Sequence, residues 1–365
     1  MRLLLVAITI GWGASALAQY CPSYTPDIES KCAHFPVAGI NPTVLEWQAI
    51  FDTVARGPSE WGDQGPAVAD IPSGCDSPLA KTMVPARYPC ELLKAIARQE
   101  SLWQHFCVPT TPASQKGMPS RTIVSFDCGY GIGQVTSGMR VGDATPSFDP
   151  TRVTSEPTYN LAAGTLILAQ KWRGTACVGD RDPTRIEDWY TSTWAYNGLA
   201  YKNNPTNPIY SATRGVWDPK GGGSAPYQEK VWGWIEHPPT PQHWTSTALA
   251  YPKLSEMGST GKPGALSEPA CATPTSCAAQ RDTHVSSCFG AVASDLAAPE
   301  DLASLPDLAQ QAAPLDLSEV TPIDGGNVRG GCACRITEIG GSDIGGAGVL
   351  LLFVMTMRRA RSLQG

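Results

Sequence analysis

The clearest helical periodicity in the chain lies between Cys90 and Cys107. Apolar positions in this segment recur at steps of four and seven residues and therefore share one face of a predicted helix: Leu92, Ile96 and Trp103. Glu100 falls on the same apolar stripe. The other charged residues of the segment fall mostly off it: Glu91, Lys94 and Arg98. The pattern therefore predicts an amphipathic helix that carries one acidic side chain on its buried face.

Two further segments show helical spacing. Residues 42–55 predict a helix from these apolar positions: Val44, Trp47, Ile50, Phe51 and Val54. A second helix is predicted from Asp182, as its N-cap, to Gly198, as its end. Pro183 would occupy its first position, and its repeated positions are Ile186, Trp189, Tyr190, Thr193, Trp194 and Asn197.

Aromatic content divides the chain near residue 251. Of the 11 tryptophans, the last is Trp244, and large apolar side chains are what a packed core requires. Residues 85–251 are therefore the predicted globular domain, with residues 19–84 as an N-terminal extension packed on it. Residues 252–330 consist largely of Ala, Ser, Pro, Thr, Asp and Leu, and this composition predicts a disordered linker.

The N-terminus has the pattern of a secretory signal. Arg2 precedes an apolar run from residue 3 to about residue 10, and Ala16 and Ala18 stand at the small-residue positions of a cleavage site. The alternative, a membrane-spanning anchor, needs a longer run without Gly11 and Gly13. Residues 1–18 are therefore predicted to be a signal peptide, and the mature protein is predicted to be exported.

The last 35 residues form a second distinctive segment. A Gly331-Cys332 pair is followed by a short apolar stretch at 344–357, which predicts a short C-terminal helix, and by three arginines at 358, 359 and 361. Residues 331–365 thus resemble the C-terminal sorting tag of myxobacterial surface proteins. The resemblance implies a sorting protease as partner, transient membrane insertion of the apolar helix, and a cell-surface location. A plain C-terminal tail anchor is the alternative.

The 12 cysteines suit an oxidising compartment. The chain has no Cys-x-x-Cys pair and its five histidines are scattered, so disulfide-stapled loops are predicted rather than a zinc site. Seven cysteines lie between Cys21 and Cys177; this odd number leaves at least one free or paired with the C-terminal part. The net charge of -6, without a dense basic run, argues against nucleic-acid binding.

Glu100 is the candidate for chemistry. A carboxylate on the apolar face of a helix is costly when charged, so partial burial raises its pKa and keeps it protonated longer. A general acid for a glycosidic bond needs this property. For an isolated glutamate, a structural role, in which the side chain pairs with an arginine or with backbone N–H groups, is the ordinary alternative.

Four short motifs follow one another in a specific order. They are Glu100-Ser101, the glycine-rich loop Gly131-Ile-Gly-Gln134, the helix start Tyr159–Gly164, and Ala195-Tyr196-Asn197-Gly198. Together, over residues 85–200, they resemble the lysozyme-like domain of the soluble lytic transglycosylases, which act on bacterial peptidoglycan. The resemblance implies a mainly α-helical, lysozyme-like fold, in which Glu100 is the catalytic acid and base. It also implies a supporting role for Ser101, with the remaining glycan contacts from Gln134, Tyr196 and Asn197.

Two departures from that family stand out. Gly133 occupies the position of a methionine that packs beside the sugar in the family, and its small size is expected to widen the subsite. A long insertion separates Trp103 from Asp127 and contains Cys107, and we expect it to form a stapled lip of the groove.

The expected reaction is cleavage of the β-1,4 bond between N-acetylmuramic acid and N-acetylglucosamine, leaving 1,6-anhydromuramyl ends. The first alternative is hydrolysis by a goose-type lysozyme. It requires a second carboxylate, for which Asp127 is the first candidate and Asp143 the next. A surface glycan-binding protein without activity is the other alternative. The sequence implies no metal or cofactor, and it leaves open whether the cell's own wall or a foreign wall is the target.

Overall fold

The described part of the chain is mainly helical, as predicted, with small sheets and several disulfides. The computed structural model describes residues 26–75, 81–107, 120–144, 146–240, 243–259 and 261–289, which belong to one compact unit. The signal peptide, the linker beyond residue 289 and the sorting tag with its apolar helix lie outside these residues. The helices are α1 Pro26–Lys31, α2 Val44–Ala55, α3 Pro58–Trp61, α4 Cys90–Ser101, α5 Pro150–Ser155, α6 Pro157–Gly174, α7 Tyr190–Tyr196 and α8 Tyr227–Glu236.

Three two-stranded antiparallel sheets connect the helices at the periphery. β1 Ile71–Ser73 pairs with β2 Thr82–Val84, β3 Phe106–Cys107 with β4 Arg121–Thr122, and β5 Cys271–Thr273 with β6 Ser276–Gln280. The pair β3–β4 lies within the insertion that was expected to form a lip of the groove. No helix in the described ranges is long and apolar enough to cross a membrane.

Helix α6 is the centre of the core. Nearly every side chain from residue 159 to residue 169 is buried, as expected for a helix that is covered on all sides. Helices α2, α5 and α7 pack on α6, while α4 packs on α8 and α2. Trp172 of α6 packs against Trp189 with ring centroids 4.2 Å apart, and both side chains are buried in the core that the aromatic distribution indicated.

The prediction of a helix over residues 42–55 is confirmed. It begins at Val44 because the Thr43 side chain accepts a hydrogen bond from the backbone N–H of Glu46, and the Glu46 carboxylate accepts from the backbone N–H of Thr43. Phe51 is buried in the core, whereas Val44 is largely exposed at the first turn.

The prediction of one continuous helix from Asp182 to Gly198 is wrong in its first half. Asp182 caps a turn, where its carboxylate accepts hydrogen bonds from the N–H and the hydroxyl of Thr184. The backbone N–H of Ile186 then donates to the carbonyl of His284 rather than within a helix. A short 3₁₀ turn at 187–189 follows, and only α7 is α-helical.

The prediction of a disordered linker from residue 252 is wrong for residues 252–259 and 261–289. Residues 252–259 and 261–289, here called the C-terminal strap, pack on the helical core although they contain few aromatic side chains. Leu266 and Cys271 are buried, and the strap is fixed by disulfides and by buried polar groups of the core. The carboxylate of Glu187, which is fully buried, accepts hydrogen bonds from the backbone N–H of His284 and of Ala250. Sequence composition does not reveal anchoring of this kind.

The strap and α2 together explain why α4 has buried side chains outside its apolar stripe. Glu91 and Lys94 were expected to lie mostly off that stripe, but both are buried. Glu91 accepts hydrogen bonds from the hydroxyls of Ser286 and Ser287 in the strap, and Lys94 forms an ion pair with Asp52 of α2, with 3.5 Å between nitrogen and oxygen. Both charged groups are therefore satisfied by partners that are distant in sequence.

Disulfides tie distant segments of the described chain together. Cys90, at the start of α4, pairs with Cys288 of the strap, so one of the seven N-terminal cysteines does pair with the C-terminal part. Cys107 is also disulfide-bonded. The remaining pairs are Cys32–Cys128, Cys75–Cys177 and Cys271–Cys277. Because Cys90 and Cys288 are bonded to each other, their proximity to Asp52 does not make a metal site.

Candidate active site

Helix α4 ends abruptly beside Glu100. Leu102 and Trp103 both adopt left-handed backbone conformations, with φ of 57° and 64°, which non-glycine residues rarely do. Trp103 therefore leaves the helix, but its indole N–H donates to the carbonyl of Lys94 (2.8 Å) and its ring stacks on His243. This reversal places Glu100 in the last turn of α4, where the chain opens to solvent.

Glu100 is partly buried at the end of α4. The hydroxyl of Tyr227, at the start of α8, donates a short hydrogen bond to Oε1 of Glu100. Burial raises the pKa of Glu100 to about 7; the hydrogen bond from Tyr227 opposes this rise and the charge of Asp127 adds to it. A carboxyl group with a raised pKa holds its proton near neutral pH, as a general acid requires.

Ser101 connects Glu100 to the glycine-rich loop. Its hydroxyl is buried, lies 3.1 Å from the carbonyl oxygen of Ala97 and donates to the carbonyl of Ile132 at 2.9 Å. Ser101 was predicted as a site residue that supports the catalytic acid. Its position between α4 and the glycine-rich loop agrees with a supporting role. With 1% of its surface exposed, it does not line a groove as a substrate contact would.

The glycine-rich loop follows a path that only small residues allow. Gly131 has a φ of 66°, and a Cβ atom at this position would lie 2.4 Å from the ring of His105. The backbone N–H of Gly133 donates to Oδ1 of Asn160 at 2.9 Å. Gln134, also left-handed, is partly exposed and donates its side-chain amide to the carbonyl of Gly131. The loop and Gln134 thus form a preorganised wall beside α4.

Asn160, at the start of α6, holds this loop in place. Its side chain is fully buried and donates to the carbonyls of Tyr130 and Val153 while it accepts from Gly133. The side-chain amide of asparagine has one NH2 group that donates and one oxygen that accepts, and these two groups make all three bonds. The Tyr159–Gly164 motif predicted this helix start, but periodicity alone did not indicate the bridging role of Asn160.

Replacing Asn160 with leucine is expected to lower the free energy of unfolding by about 2–4 kcal/mol, because three buried backbone groups lose their partner. The matched control is Asn207→Leu, since Asn207 is more exposed and its side chain bonds to two backbone groups, the carbonyl of Tyr201 and the N–H of Ile209. Urea unfolding of both variants measures the difference. Equal losses would mean that Asn160 does not brace the loop.

Tyr196 and Asn197 occupy different positions relative to Glu100. The hydroxyl of Tyr196 donates to the carbonyl of Gly133 at 2.7 Å, and the pKa of Tyr196 is raised by burial and by the nearby charge of Glu100. The structure therefore brings Tyr196 together with Glu100 and the loop. Asn197 is exposed one residue beyond α7, and its Oδ1 accepts from the side chain of Asn203 at 3.0 Å.

Gly133 lies beside a small, mostly apolar cavity next to Tyr196. A Cβ atom at Gly133 would lie 3.3 Å from Oδ1 of Asn160 and 3.5 Å from the Tyr196 hydroxyl. The cavity is lined by residues of α4, α6 and α7: Leu93, Ile96, Ala97, Leu161, Gly164, Thr165, Leu168 and Tyr196. That this glycine widens a sugar subsite stays a prediction.

Asp127 and Asp143, the two candidates for the second acid of a hydrolase, differ in whether they act on Glu100. Asp127 accepts a hydrogen bond from the hydroxyl of Ser125 at 2.6 Å, and its charge acts on Glu100. Asp143 is exposed, and its carboxylate caps a turn by accepting from the backbone N–H of Arg140. Of the two, Asp127 is the better placed for a second acid.

Tyr227 is the site residue that the sequence analysis missed. The spacing of Tyr227, Val231 and Ile235 predicts a helix over this segment, and the side chains of all three are buried. No local pattern, however, indicates that the first residue of this helix meets Glu100, 127 positions earlier. That contact depends on the packing of α8 on α4.

Comparisons with known proteins found no relative of this chain. The chain matches no protein-family model, and no curated protein or solved structure is significantly similar to it.

Proposed function

We propose that the protein is a lytic transglycosylase that cleaves the β-1,4 bond between N-acetylmuramic acid and N-acetylglucosamine in peptidoglycan, with Glu100 as the single acid and base. The observation that carries the proposal is the position of Glu100 at the end of α4, where it bonds to the hydroxyl of Tyr227 and where burial raises its pKa. The position of Tyr196 beside it and the braced loop that carries Gln134 further support the proposal. The order of motifs adds the resemblance to the transglycosylase domain.

In the proposed reaction, Glu100 first gives its proton to the glycosidic oxygen as the bond to the muramyl C1 breaks. The substrate's own N-acetyl group stabilises the positive charge that develops at C1. The Glu100 carboxylate then takes the proton of the muramyl 6-hydroxyl, and that oxygen bonds to C1. The products are a 1,6-anhydromuramyl end and a free 4-hydroxyl, and Glu100 returns to its protonated state.

Mass spectrometry of muropeptides released by the purified protein from peptidoglycan tests this proposal. Anhydromuramyl ends are the expected product. Reducing muramyl ends would instead indicate hydrolysis, with Asp127 activating water. In that case Asp127→Asn would abolish cleavage, whereas a transglycosylase retains activity in this variant. If the parent and Glu100→Gln both bind peptidoglycan and neither cleaves it, the protein is a binding protein.

Tyr227→Phe is expected to shift the alkaline limb of the pH–rate profile upward by about one pH unit. The hydroxyl of Tyr227 stabilises the charged form of Glu100, and a hydrogen bond to a charged group contributes about 1.5–3 kcal/mol. Cleavage rates measured between pH 5 and about pH 9 test the shift. The control is Tyr210→Phe, because Tyr210 donates to the backbone carbonyl of Lys202. An unchanged profile in Tyr227→Phe would show that this bond does not set the acidity of Glu100.

The proposed location is outside the cytoplasm, at the cell envelope or surface. The disulfides of the described chain support an oxidising compartment. The partner proposed from the C-terminal segment is a sorting protease that processes the chain near Cys332.

A further inference from the structure

Asp188, in the 3₁₀ turn that precedes α7, has one satisfied and one unsatisfied carboxyl oxygen. The residue is 2% exposed. Its Oδ2 accepts a hydrogen bond from the backbone N–H of Asp182 at 2.6 Å. Its Oδ1 is buried and has no hydrogen-bond partner among the described residues. Because a buried carboxyl oxygen is costly without a partner, this oxygen calls for a ligand that the described side chains do not supply.

Glu268, in the C-terminal strap, faces this oxygen across a glycine. A Cβ atom placed on Gly179 would lie 2.2 Å from Oε2 of Glu268 and 3.1 Å from Oδ1 of Asp188. Both oxygens therefore lie within 3.1 Å of one point, beside a residue without a side chain. The other oxygen of Glu268, Oε1, accepts from Nη1 of Arg185 at 3.0 Å and from the hydroxyl of Thr283 at 2.8 Å. The two oxygens that meet at Gly179 are thus available to a common ligand.

Carboxylates outnumber cations in this region. Asp180 and Asp182 both approach the guanidinium of Arg185, with 3.6 Å and 3.8 Å between nitrogen and oxygen. Arg185 also pairs with Glu268. One guanidinium therefore serves three carboxylates before Asp188 adds a fourth, and the surplus of negative charge attracts a cation.

Arg181 lies on the same loop but directs its guanidinium elsewhere. Its Nη1 donates to the carbonyl of Thr175 at 3.2 Å, and its Nη2 donates to the carbonyl of Trp172. The guanidinium carbon also lies 5.1 Å from the ring centroid of Trp172. Arg181 is therefore engaged with the end of α6 and does not take the place of a ligand for Asp188.

A shared proton is the alternative to a cation between the two carboxyl groups. Burial raises the pKa of Asp188 to about 8; the charge of Glu268 adds to this rise, while the hydrogen bond from the backbone of Asp182 and the charge of Arg185 oppose it. A single proton would neutralise one of the two groups and leave the neighbouring carboxylates in surplus. A divalent cation neutralises both, and the excess of carboxylates around the pair favours it.

We propose that Oδ1 of Asp188 and Oε2 of Glu268 bind a divalent cation, and that Ca²⁺ is preferred over Mg²⁺. Both ions take carboxylate oxygens, but Ca²⁺ accepts irregular geometry with bonds of about 2.3–2.6 Å, whereas Mg²⁺ requires a nearly ideal octahedron. The Glu268 side chain is 42% exposed, so solvent completes the coordination shell. Two protein carboxylates give a modest affinity, with a Kd of about 10⁻⁴–10⁻³ M, as in extracellular calcium-binding modules.

The cation fastens the C-terminal strap to the helical core. Asp188 belongs to the core and Glu268 to the strap, whose far end is held by the disulfide between Cys90 and Cys288. Sequence spacing does not reveal this pair, because Glu268 lies in the segment whose composition predicts a disordered linker. The inference does not depend on the proposed reaction, since neither ligand belongs to the site around Glu100.

Thermal unfolding of the purified full chain in CaCl₂ and in EDTA tests the proposal. In about 10 mM CaCl₂ the midpoint is expected to lie about 3–10 °C above its value in EDTA, and MgCl₂ is expected to give a smaller rise. Most of the rise with CaCl₂ is expected to be lost in Asp188→Asn and in Glu268→Gln. The matched controls, expected to keep it, are Asp218→Asn, which changes an exposed aspartate that caps its own turn, and Glu60→Gln, which changes a half-exposed glutamate in another ion pair.

Terbium luminescence measures binding directly. Trp189 follows Asp188 in the chain and is expected to sensitise a Tb³⁺ ion bound there. CaCl₂ is expected to displace the Tb³⁺ ion and to quench this signal. Glu268→Gln is expected to weaken Tb³⁺ binding about tenfold, because one charged ligand becomes neutral.

An unfolding midpoint that is the same in CaCl₂ and in EDTA would overturn the proposal. A response to CaCl₂ that survives in Glu268→Gln would also overturn it, because the cation would then bind elsewhere. If CaCl₂ has no effect and Asp188→Asn is more stable than the parent in both solutions, the two carboxyl groups share a proton instead. Should Asp188→Asn fail to fold, Glu268→Gln decides, since its side chain is partly exposed.

Discussion

Glu100→Gln is expected to lower the rate of peptidoglycan cleavage by about 10²–10⁴-fold, because glutamine neither gives nor takes the proton. The side chain keeps its size, and its amide oxygen still accepts from Tyr227. Release of soluble muropeptides from sacculi measures the rate. Glu60→Gln, which changes a glutamate on the short helix α3 with a half-exposed side chain, is the matched control and is expected to keep full activity. Equal activity of Glu100→Gln and the parent would exclude Glu100 as the acid.

The same substitution is expected to stabilise the protein at neutral pH. The folded pKa of Glu100 is about 7, above its ordinary value of 4.5, so the folded state holds the proton longer than the unfolded state does. The parent therefore loses stability as pH rises from about 4.5 to 7, whereas Glu100→Gln does not. A difference on the order of 2 kcal/mol at pH 8 is expected. Unfolding at pH 4.5 and pH 8 separates this effect from a change in packing.

The second large effect is expected from the C-terminal strap. A chain that ends at residue 251 loses Cys288, the hydroxyl partners of Glu91, and the buried side chain of Leu266. Loss of a native disulfide alone costs about 2–5 kcal/mol, and the total stability of a domain is about 5–15 kcal/mol. The shortened chain is therefore expected not to reach the native fold.

A chain that ends at residue 289 retains all these contacts and is the control. Near-ultraviolet circular dichroism and thermal unfolding compare the two, and a cooperative transition is expected only for the longer chain. A Cys90→Ser/Cys288→Ser variant separates the contribution of the disulfide from that of the packed strap. If the chain ending at 251 unfolds within a few degrees of the longer one, the strap is an accessory and the core ends where the tryptophans do.

The sequence predicted those parts of the site that depend on local pattern. Helical spacing placed Glu100 on the apolar stripe of α4, and the glycines of the loop indicated a tight turn beside it. Both are local properties, set by side-chain direction along a helix and by the left-handed φ that Gly131 adopts.

The features that the sequence did not predict depend on contacts between distant segments. Tyr227 reaches Glu100 only because α8 packs on α4, and Glu91 is buried only because the strap covers it. The strap itself looks disordered by composition because it has few large apolar side chains. A disulfide and buried carboxylates hold it instead, and neither is visible in a local window.

The most direct measurement is the titration of the Glu100 carboxyl itself. Carbon-13 NMR of protein labelled at the glutamate side-chain carboxyl, compared with Glu100→Gln to assign the signal, follows its protonation with pH. An apparent pKa near 7 is the result expected for a general acid held by burial. A pKa at or below the ordinary value of 4.5 would mean that Glu100 is a charged structural carboxylate, and the proposed reaction would then have no proton donor.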